Sequence, residues 1–365
     1  MTVRSESETL PAAPAFDRRG QAAFVRDIRS QFYRLRLVFA LAAAYCLVAA
    51  GLALVLAGEQ RIAPFSYVPI WLRGGFSFGF LYLMALTLPR VLRERPDRPL
   101  SVLWSRVAEY ATPAFVAGVA LIAMQAFVMG TFTSTKNMLP LMADFTWDGY
   151  WASVDAALHG GIDPWRLLLP VVDRPWALHL VEIFYFTGWM LMLGIVPAIV
   201  AFSPRMERIR VRFFLTYILC WILLGNILAA AGMSAGPVYF GEITGDYARF
   251  GPLVDRLAAN SGSFLSAYDI QQSLWYVHER GMSALGSGIS AFPSLHIAMA
   301  TLWVIVGFAA GRKYGVAALA FLATVQFGSV ALGWHYAIDG YASIVLTLLL
   351  WAAVGWALRR AWPRD

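Results

Sequence analysis

Charge is what this sequence most conspicuously lacks. Of its 365 residues only 14% are Asp, Glu, Lys or Arg, against 59% that are hydrophobic; an ordinary soluble domain carries about 25% charge. No soluble fold hides that much apolar surface, so the expected solvent is lipid. Cysteine is almost absent as well. Cys46 and Cys220 both sit inside apolar runs, which excludes a disulfide scaffold and a cysteine-based metal site. Lysine is reduced to Lys136 and Lys313, so arginine carries nearly all of the net charge of +7. The basic residues fall between hydrophobic runs. That pattern orients a membrane protein and gives no nucleic-acid-binding patch.

What is present is a series of long apolar stretches. Eight are long enough, at about 18–25 residues each, to cross a bilayer: near 37–57, 74–92, 112–132, 177–202, 213–232, 291–310, 315–332 and 335–358. Gly74, Gly75 and Gly79 crowd the start of the second. The first follows an Arg-rich leader too long for a cleaved signal peptide, and it reads as a retained span. When the loops alternate between the two sides, 21 of the 29 Lys and Arg residues fall on the side that also holds both termini. The positive-inside rule makes that side cytoplasmic. The expected architecture is an all-α polytopic bundle in the inner membrane of a bacterium. Its division is a leader at 1–36, two added spans and a loop at 37–111, a six-span core at 112–358 and a tail at 359–365. Residues 1–20, rich in Glu, Pro, Ala and Ser, read as disordered. Residues 21–36 place Phe24, Ile28, Phe32 and Leu35 at helical spacing among arginines. They read either as a helix lying on the anionic inner surface or as an extension of the first span.

Two long loops, 133–176 and 233–290, then face outward. Asp148 opens a predicted short helix as its cap. Asp155 and His159 stand four apart with Asp163 nearby, but three groups on one loop make a weak metal site, and the reading is a polar loop. Glu182, inside the fourth apolar run, reads as a proton relay or as a side chain reaching the headgroups. Trp334, Tyr336 and Tyr341 read as interfacial anchors.

The chemistry concentrates in three short segments. Gly288-Ile-Ser-Ala-Phe-Pro-Ser-Leu-His296 opens the sixth run, and Gly333-Trp-His-Tyr-Ala-Ile-Asp339 opens the eighth. Ionisable residues at membrane depth are expensive and usually functional, and here His296, His335 and Asp339 all lie at span ends. His296 and His335 are 39 positions apart. At ~1.5 Å per residue this is roughly 58 Å, two crossings of a ~30 Å core. A hairpin through Arg312-Lys313 therefore returns both imidazoles to one face. His335 and Asp339 are four apart, so a helix stacks them and the carboxylate can hold one ring nitrogen protonated. The third segment, Ser234-Ala-Gly-Pro-Val-Tyr239, follows the fifth run and turns at Gly236-Pro237.

Together these segments resemble the type-2 phosphatidic acid phosphatase superfamily, and within it the branch of inositol phosphorylceramide synthase and sphingomyelin synthase-like phosphotransferases. The matched motifs lie between about 234 and 339. The resemblance implies that His335 is the nucleophile forming a phosphohistidine, that Asp339 orients it and that His296 protonates the leaving alkoxide. It also implies a lipid phosphate substrate, no cofactor and no metal. Ser294 and the N–H groups at the start of the sixth helix, with Ser234, Tyr239, Ser290 and Arg280, are the candidate substrate-binding groups.

The departures are as informative. Phosphatases of this superfamily carry Lys-x6-Arg-Pro in the first motif, where this chain has Ala235-Gly236 before Pro237. They also carry Ser-Arg six to seven residues before the nucleophile, where Gly328 and Ser329 stand here. Two phosphate-binding arginines are missing, which favours the synthase-like branch and a transferred phosphoryl group. Lys136, Arg249 and Arg280 are among the eight Lys and Arg residues on the expected side. The competing readings are a transporter, which would show broken helices in paired halves, and a structural membrane subunit, which leaves the three motifs unexplained.

Overall fold

The computed structural model describes residues 18–56, 58–94, 112–284 and 286–361. Most of the disordered leader expected at 1–20, the basic stretch 95–111 and the last four residues of the tail lie outside them. The described residues form helices and connecting loops, with no strand among them. The long elements are α1 (Arg18–Val55), α2 (Val68–Glu94), α3 (Pro113–Met138) and α4 (Asp148–Leu158). They continue with α5 (Pro175–Phe202), α6 (Pro204–Ala231), α7 (Tyr247–Ala258), α8 (Ala267–Glu279), α9 (Leu295–Ala310), α10 (Arg312–Ala331) and α11 (Ala337–Ala361).

Among the described residues six helices are long and apolar enough to cross a bilayer: α1, α3, α5, α6, α10 and α11. Two of the eight expected spans are different. The second lies within α2. The sixth is α9, with only 16 residues, about 24 Å of helix. It is short because residues 291–294 do not join it. Pro293 keeps the residue before it out of the helical region, and the helix starts only after Ser294.

Residues 21–36 extend the first span, because α1 runs unbroken for 38 residues from Arg18 to Val55. Its buried face is Leu35, Val38, Ala42, Tyr45, Ala49 and Ala53, at three-to-four spacing, while Leu47, Val48, Leu54 and Val55 are exposed. That is an apolar helix packed on one side and open to lipid on the other. The packed side meets α3 through a polar seam. Tyr45 Oη reaches Thr135 Oγ1 at 2.9 Å and donates to Asn226 Oδ1 at 2.7 Å. Just beyond α1, the Ala63 N–H donates to Ser134 Oγ. The α3 helix is thus gripped from the N-terminal helices and from α6.

The α9–α10 hairpin closes through Gly311, whose φ of 149° suits glycine. Gly307 sits so close to the Tyr314 backbone that a Cβ there would lie 2.7 Å from its carbonyl oxygen. The two helices therefore run back along each other and return the chain to the level of His296. Two helices also contain π turns, Phe184–Gly188 in α5 and Cys220–Leu228 in α6. Such irregularities cluster at functional sites, and the first of them holds Tyr185 beside a histidine.

Candidate active site

His335 lies in the turn before α11 and is 7% exposed. Its Nδ1 is 2.8 Å from the carbonyl oxygen of Ala291. A carbonyl only accepts, so Nδ1 carries the proton and Nε2 presents a lone pair. Asp339 is the second neighbour of Nδ1. Its Oδ2 is 3.4 Å away, beyond ordinary hydrogen-bond range, and accepts the Tyr336 N–H at 3.0 Å. The Ala291 carbonyl therefore selects the tautomer. The fully buried Asp339 carboxylate supplies charge against an imidazolium.

His296 is the second residue of α9. Its ring is clasped between Tyr185, stacked at 4.7 Å between centroids, and Trp189 at 4.2 Å. Trp189 Nε1 also donates to the His296 carbonyl. The two imidazole centroids are 6.2 Å apart. A phosphorus in near-attack contact with Nε2 of His335, at about 3–3.5 Å, would keep its ester oxygen within reach of His296.

The three motifs are sewn together by hydrogen bonds that converge on His335. Ser234 is completely buried. Its carbonyl accepts the Ala291 N–H at 2.8 Å, and its Oγ accepts the Phe292 N–H at 3.2 Å. Ser234 thus fixes the segment whose carbonyl fixes His335. The Gly236 turn, at φ 102°, lies against the Trp334 carbonyl, and Val238 N–H donates to Gly333. Ser294 is equally buried, and its Oγ has no partner among the described residues. Tyr185 Oη and Asp339 Oδ1 share that condition. Buried polar groups are rarely left unpaired, and these three adjoin the histidines: Tyr185 stacks on His296, Ser294 N–H donates to the Asp339 carbonyl, and Asp339 faces His335.

The other substrate-binding candidates are disposed differently. Tyr239 donates its hydroxyl to the Gln271 carbonyl at 2.8 Å and stacks on Trp275. Arg280 is exposed at the end of α8, over the ring of Tyr276. Ser290 is half-buried one residue before Ala291.

Acidic residues of the 133–176 segment and of α5 prove more important than the sequence suggests. Asp148 does not cap its own helix. It accepts the N–H groups of Ala235 and Gly236, both at 2.8 Å, and the hydroxyl of Tyr336, also at 2.8 Å. Tyr336 is accordingly 1% exposed and is no interfacial anchor. Asp155 receives the Ala337 and Ile338 N–H groups at 2.9 and 3.0 Å, capping the helix that carries Asp339 from outside. Burial holds both carboxyl groups above the usual range, and those backbone donors offset only part of the rise. Asp163 binds Arg249 at 2.6 Å, which holds that guanidinium more firmly protonated. His159 Nδ1 lies 2.7 Å from the Asp155 carbonyl, and its Nε2 is 3.1 Å from Tyr341 Oη. Glu182 accepts the Ala267 N–H at the start of α8 and the Asn260 amide. Each of these carboxylates braces backbone or pairs with arginine. The sequence marks Asp148 only as a helix cap, Asp155 and Asp163 only by their spacing from His159, and Glu182 only by its place in an apolar run.

Comparison with known families places this geometry. The family described as the PAP2 superfamily matches residues 150–353, which takes in all three motifs and the helices α5 to α10 with most of α11. No curated protein and no solved structure matches the chain.

Proposed function

Since this chain belongs to the PAP2 superfamily, we propose that it is a membrane enzyme that moves a phosphoryl group from a lipid phosphate ester through His335. One observation carries the reading: Nδ1 of His335 is committed to the Ala291 carbonyl, which leaves Nε2 free 6.2 Å (ring to ring) from a second imidazole.

In the first step Nε2 of His335 attacks phosphorus. A P–N bond forms as the P–O bond to the lipid alkoxide breaks, and His296 gives that alkoxide its proton. Asp339 faces the positive charge that grows on His335. In the second step the neutral His296 takes a proton from an acceptor hydroxyl, whose oxygen displaces His335 from phosphorus. Water as acceptor makes the enzyme a phosphatase, and an alcohol makes it a phosphotransferase. We favour an alcohol, and with it the inositol phosphorylceramide and sphingomyelin synthase-like branch, because Gly328, Ser329 and Ala235-Gly236 stand where the phosphatases carry Ser-Arg and the first-motif arginine.

The test is a phospholipid carrying radioactive phosphorus in its headgroup, given to the purified full chain. Acid-labile label on the protein, lost in His335→Ala, supports the reading; turnover with no such label at any time after mixing overturns it. Adding inositol, sugars and other alcohols then separates transfer from hydrolysis by the identity of the labelled product. The rate should be bell-shaped in pH, because one imidazole must be neutral while the other is protonated. A flat profile between about pH 5 and 9, with chemistry rate-limiting, contradicts these roles.

The proposed setting is a bacterial inner membrane; the excess of Arg and Lys on one side supports cytoplasmic termini and a site outside. Phe264, 77% exposed in the outer loop, gives the check. A cysteine placed there should react with a membrane-impermeant maleimide in intact cells, and protection until lysis reverses the orientation.

A further inference from the structure

We propose that Lys136 supplies the positive charge that receives the phosphate, in place of the arginines that this chain lacks. The inference rests on the reading of His335 as the nucleophile and goes beyond it. Lys136 belongs to α3, outside the residues matched by the family.

Lys136 stands in the last turn of α3. Its stem crosses directly over Gly288, the first residue of the segment that ends in His296. A Cβ at Gly288 would lie 2.8 Å from Lys136 Cγ and 3.2 Å from Asn137 Oδ1, and Gly288 itself takes φ 94°. Only glycine serves there. The α3 terminus is clamped at this height. The Asn137 amide donates to Ser283 Oγ at 2.9 Å and Ser287 Oγ at 2.8 Å, and Arg61 donates to the Asn137 carbonyl. From this anchorage the Lys136 stem runs against the start of the segment that ends in His296.

The charge is also uncommitted. Among the described residues the Lys136 side chain has no hydrogen bond and no ion pair. Of the other cations of this side, Arg249 is held by Asp163, Arg256 by Asp173, Arg166 lies by Asp163 and Trp165, Arg61 donates to the Asn137 carbonyl and Arg280 lies over Tyr276, while Arg73 and Arg174 are exposed. A half-buried ammonium without a counter-ion is costly at the level of a membrane span, and such groups are by default functional. A phosphate dianion or phosphodiester beside His296 gives it the missing partner. Ser294 Oγ and Tyr185 Oη, buried and unpaired in the same place, add neutral donors to the same oxygens. Lys136 transfers no proton in this scheme. It neutralises the non-bridging oxygens, a role that phosphoryl transfer needs throughout.

The experiment measures binding and turnover separately, on the detergent-solubilised full chain. Orthovanadate, which has the shape and charge of phosphate, is titrated against wild type, Lys136→Met and Lys136→Arg by intrinsic tryptophan fluorescence. Binding should weaken at least about ten-fold in Lys136→Met and stay within about three-fold in Lys136→Arg. The kcat/KM for lipid phosphate in Lys136→Met should fall by about 10^2–10^3, the usual cost of losing one oxyanion contact. Removing an unpaired charge should leave the thermal midpoint of Lys136→Met equal to that of wild type or higher, so lost binding is not lost folding. Vanadate affinity equal to wild type in Lys136→Met, or no vanadate binding by wild type, overturns the inference. Lysine-dependent vanadate binding by a protein that turns over no lipid phosphate sinks the catalytic reading and leaves the phosphate site standing. Lipid turnover with lysine-independent binding does the reverse.

Discussion

Replacing His335 with alanine is expected to lower turnover of lipid phosphate by at least about 10^4-fold, the scale on which covalent nucleophiles are lost. His296→Ala should behave differently, and the difference identifies the acid. With an alkyl ester the loss is about 10^2–10^4-fold, since an alkoxide does not leave without a proton. With a p-nitrophenyl ester the leaving group needs none, and His296→Ala should recover most of its first-step rate while His335→Ala stays silent. Equal losses on both esters would remove His296 from the role of acid. Asp339→Asn supplies a finer discrimination. Where a carboxylate alone selects the tautomer of a catalytic histidine, its amide costs about 10^4 in kcat. Here the Ala291 carbonyl holds Nδ1–H at 2.8 Å while Asp339 stands at 3.4 Å. Asp339→Asn should therefore cost only about 10–10^2-fold, the share due to charge and not to tautomer. A loss as large as that of His335→Ala would show that the carboxylate, and not the carbonyl, sets the ring.

The pairing of His296 with His335 was legible from arithmetic. Thirty-nine residues and a pair of basic residues midway leave little choice but a hairpin, and α9, Gly311 and α10 form it. Ionisable groups at the ends of apolar runs also announce themselves, because lipid makes them expensive. The bundle followed from hydropathy for the same reason. What hydropathy could not reveal is where helices bend or begin. The π turns around Tyr185 and Asn226 have no signature in the sequence. The late start of α9 follows from Pro293, yet that proline sits inside an apolar run and was absorbed into it.

The support of the site was less legible, for a physical reason. Asp148 acts on the backbone of Ala235 and Gly236 and on Tyr336, 87 to 188 positions away. Backbone N–H groups carry no side-chain identity, so nothing in the local sequence marks them as partners. Asp155, acting on the N–H groups of Ala337 and Ile338, is hidden the same way. Tyr336 was misjudged because a tyrosine at a span end ordinarily reaches the headgroups. Here a buried carboxylate outcompetes water for its hydroxyl. The sequence names the groups proposed to carry the chemistry and conceals those that hold the loops in place.

That division makes Asp148 the second large effect. Asp148→Ala leaves two buried N–H groups and one buried phenol without an acceptor. At about 1–3 kcal/mol for each orphaned group, and allowing for relaxation and imperfect additivity, the loss should be about 3–5 kcal/mol. Net stabilities are about 5–15 kcal/mol, so the variant should accumulate poorly and melt well below wild type in detergent. Asp148→Asn keeps one oxygen acceptor in nearly the same shape and should lose about half as much. Its new amide donor faces donors, which prevents full recovery. Tyr336→Phe in the Asp148→Ala background removes the orphaned phenol and should return about 1 kcal/mol. That sign reversal distinguishes a hydrogen-bond node from simple packing, under which a second truncation destabilises further. The same node places the Gly236 turn against Trp334 and is linked to Ala291 through two hydrogen bonds, Ala235 N–H to Asp148 and Ala291 N–H to the Ser234 carbonyl. Any Asp148→Asn protein that does fold should therefore show reduced kcat with little change in KM. A folded variant with wild-type kcat would mean that the turn is held without Asp148, and that the chain from the outer carboxylate to His335 is not the one that positions the nucleophile.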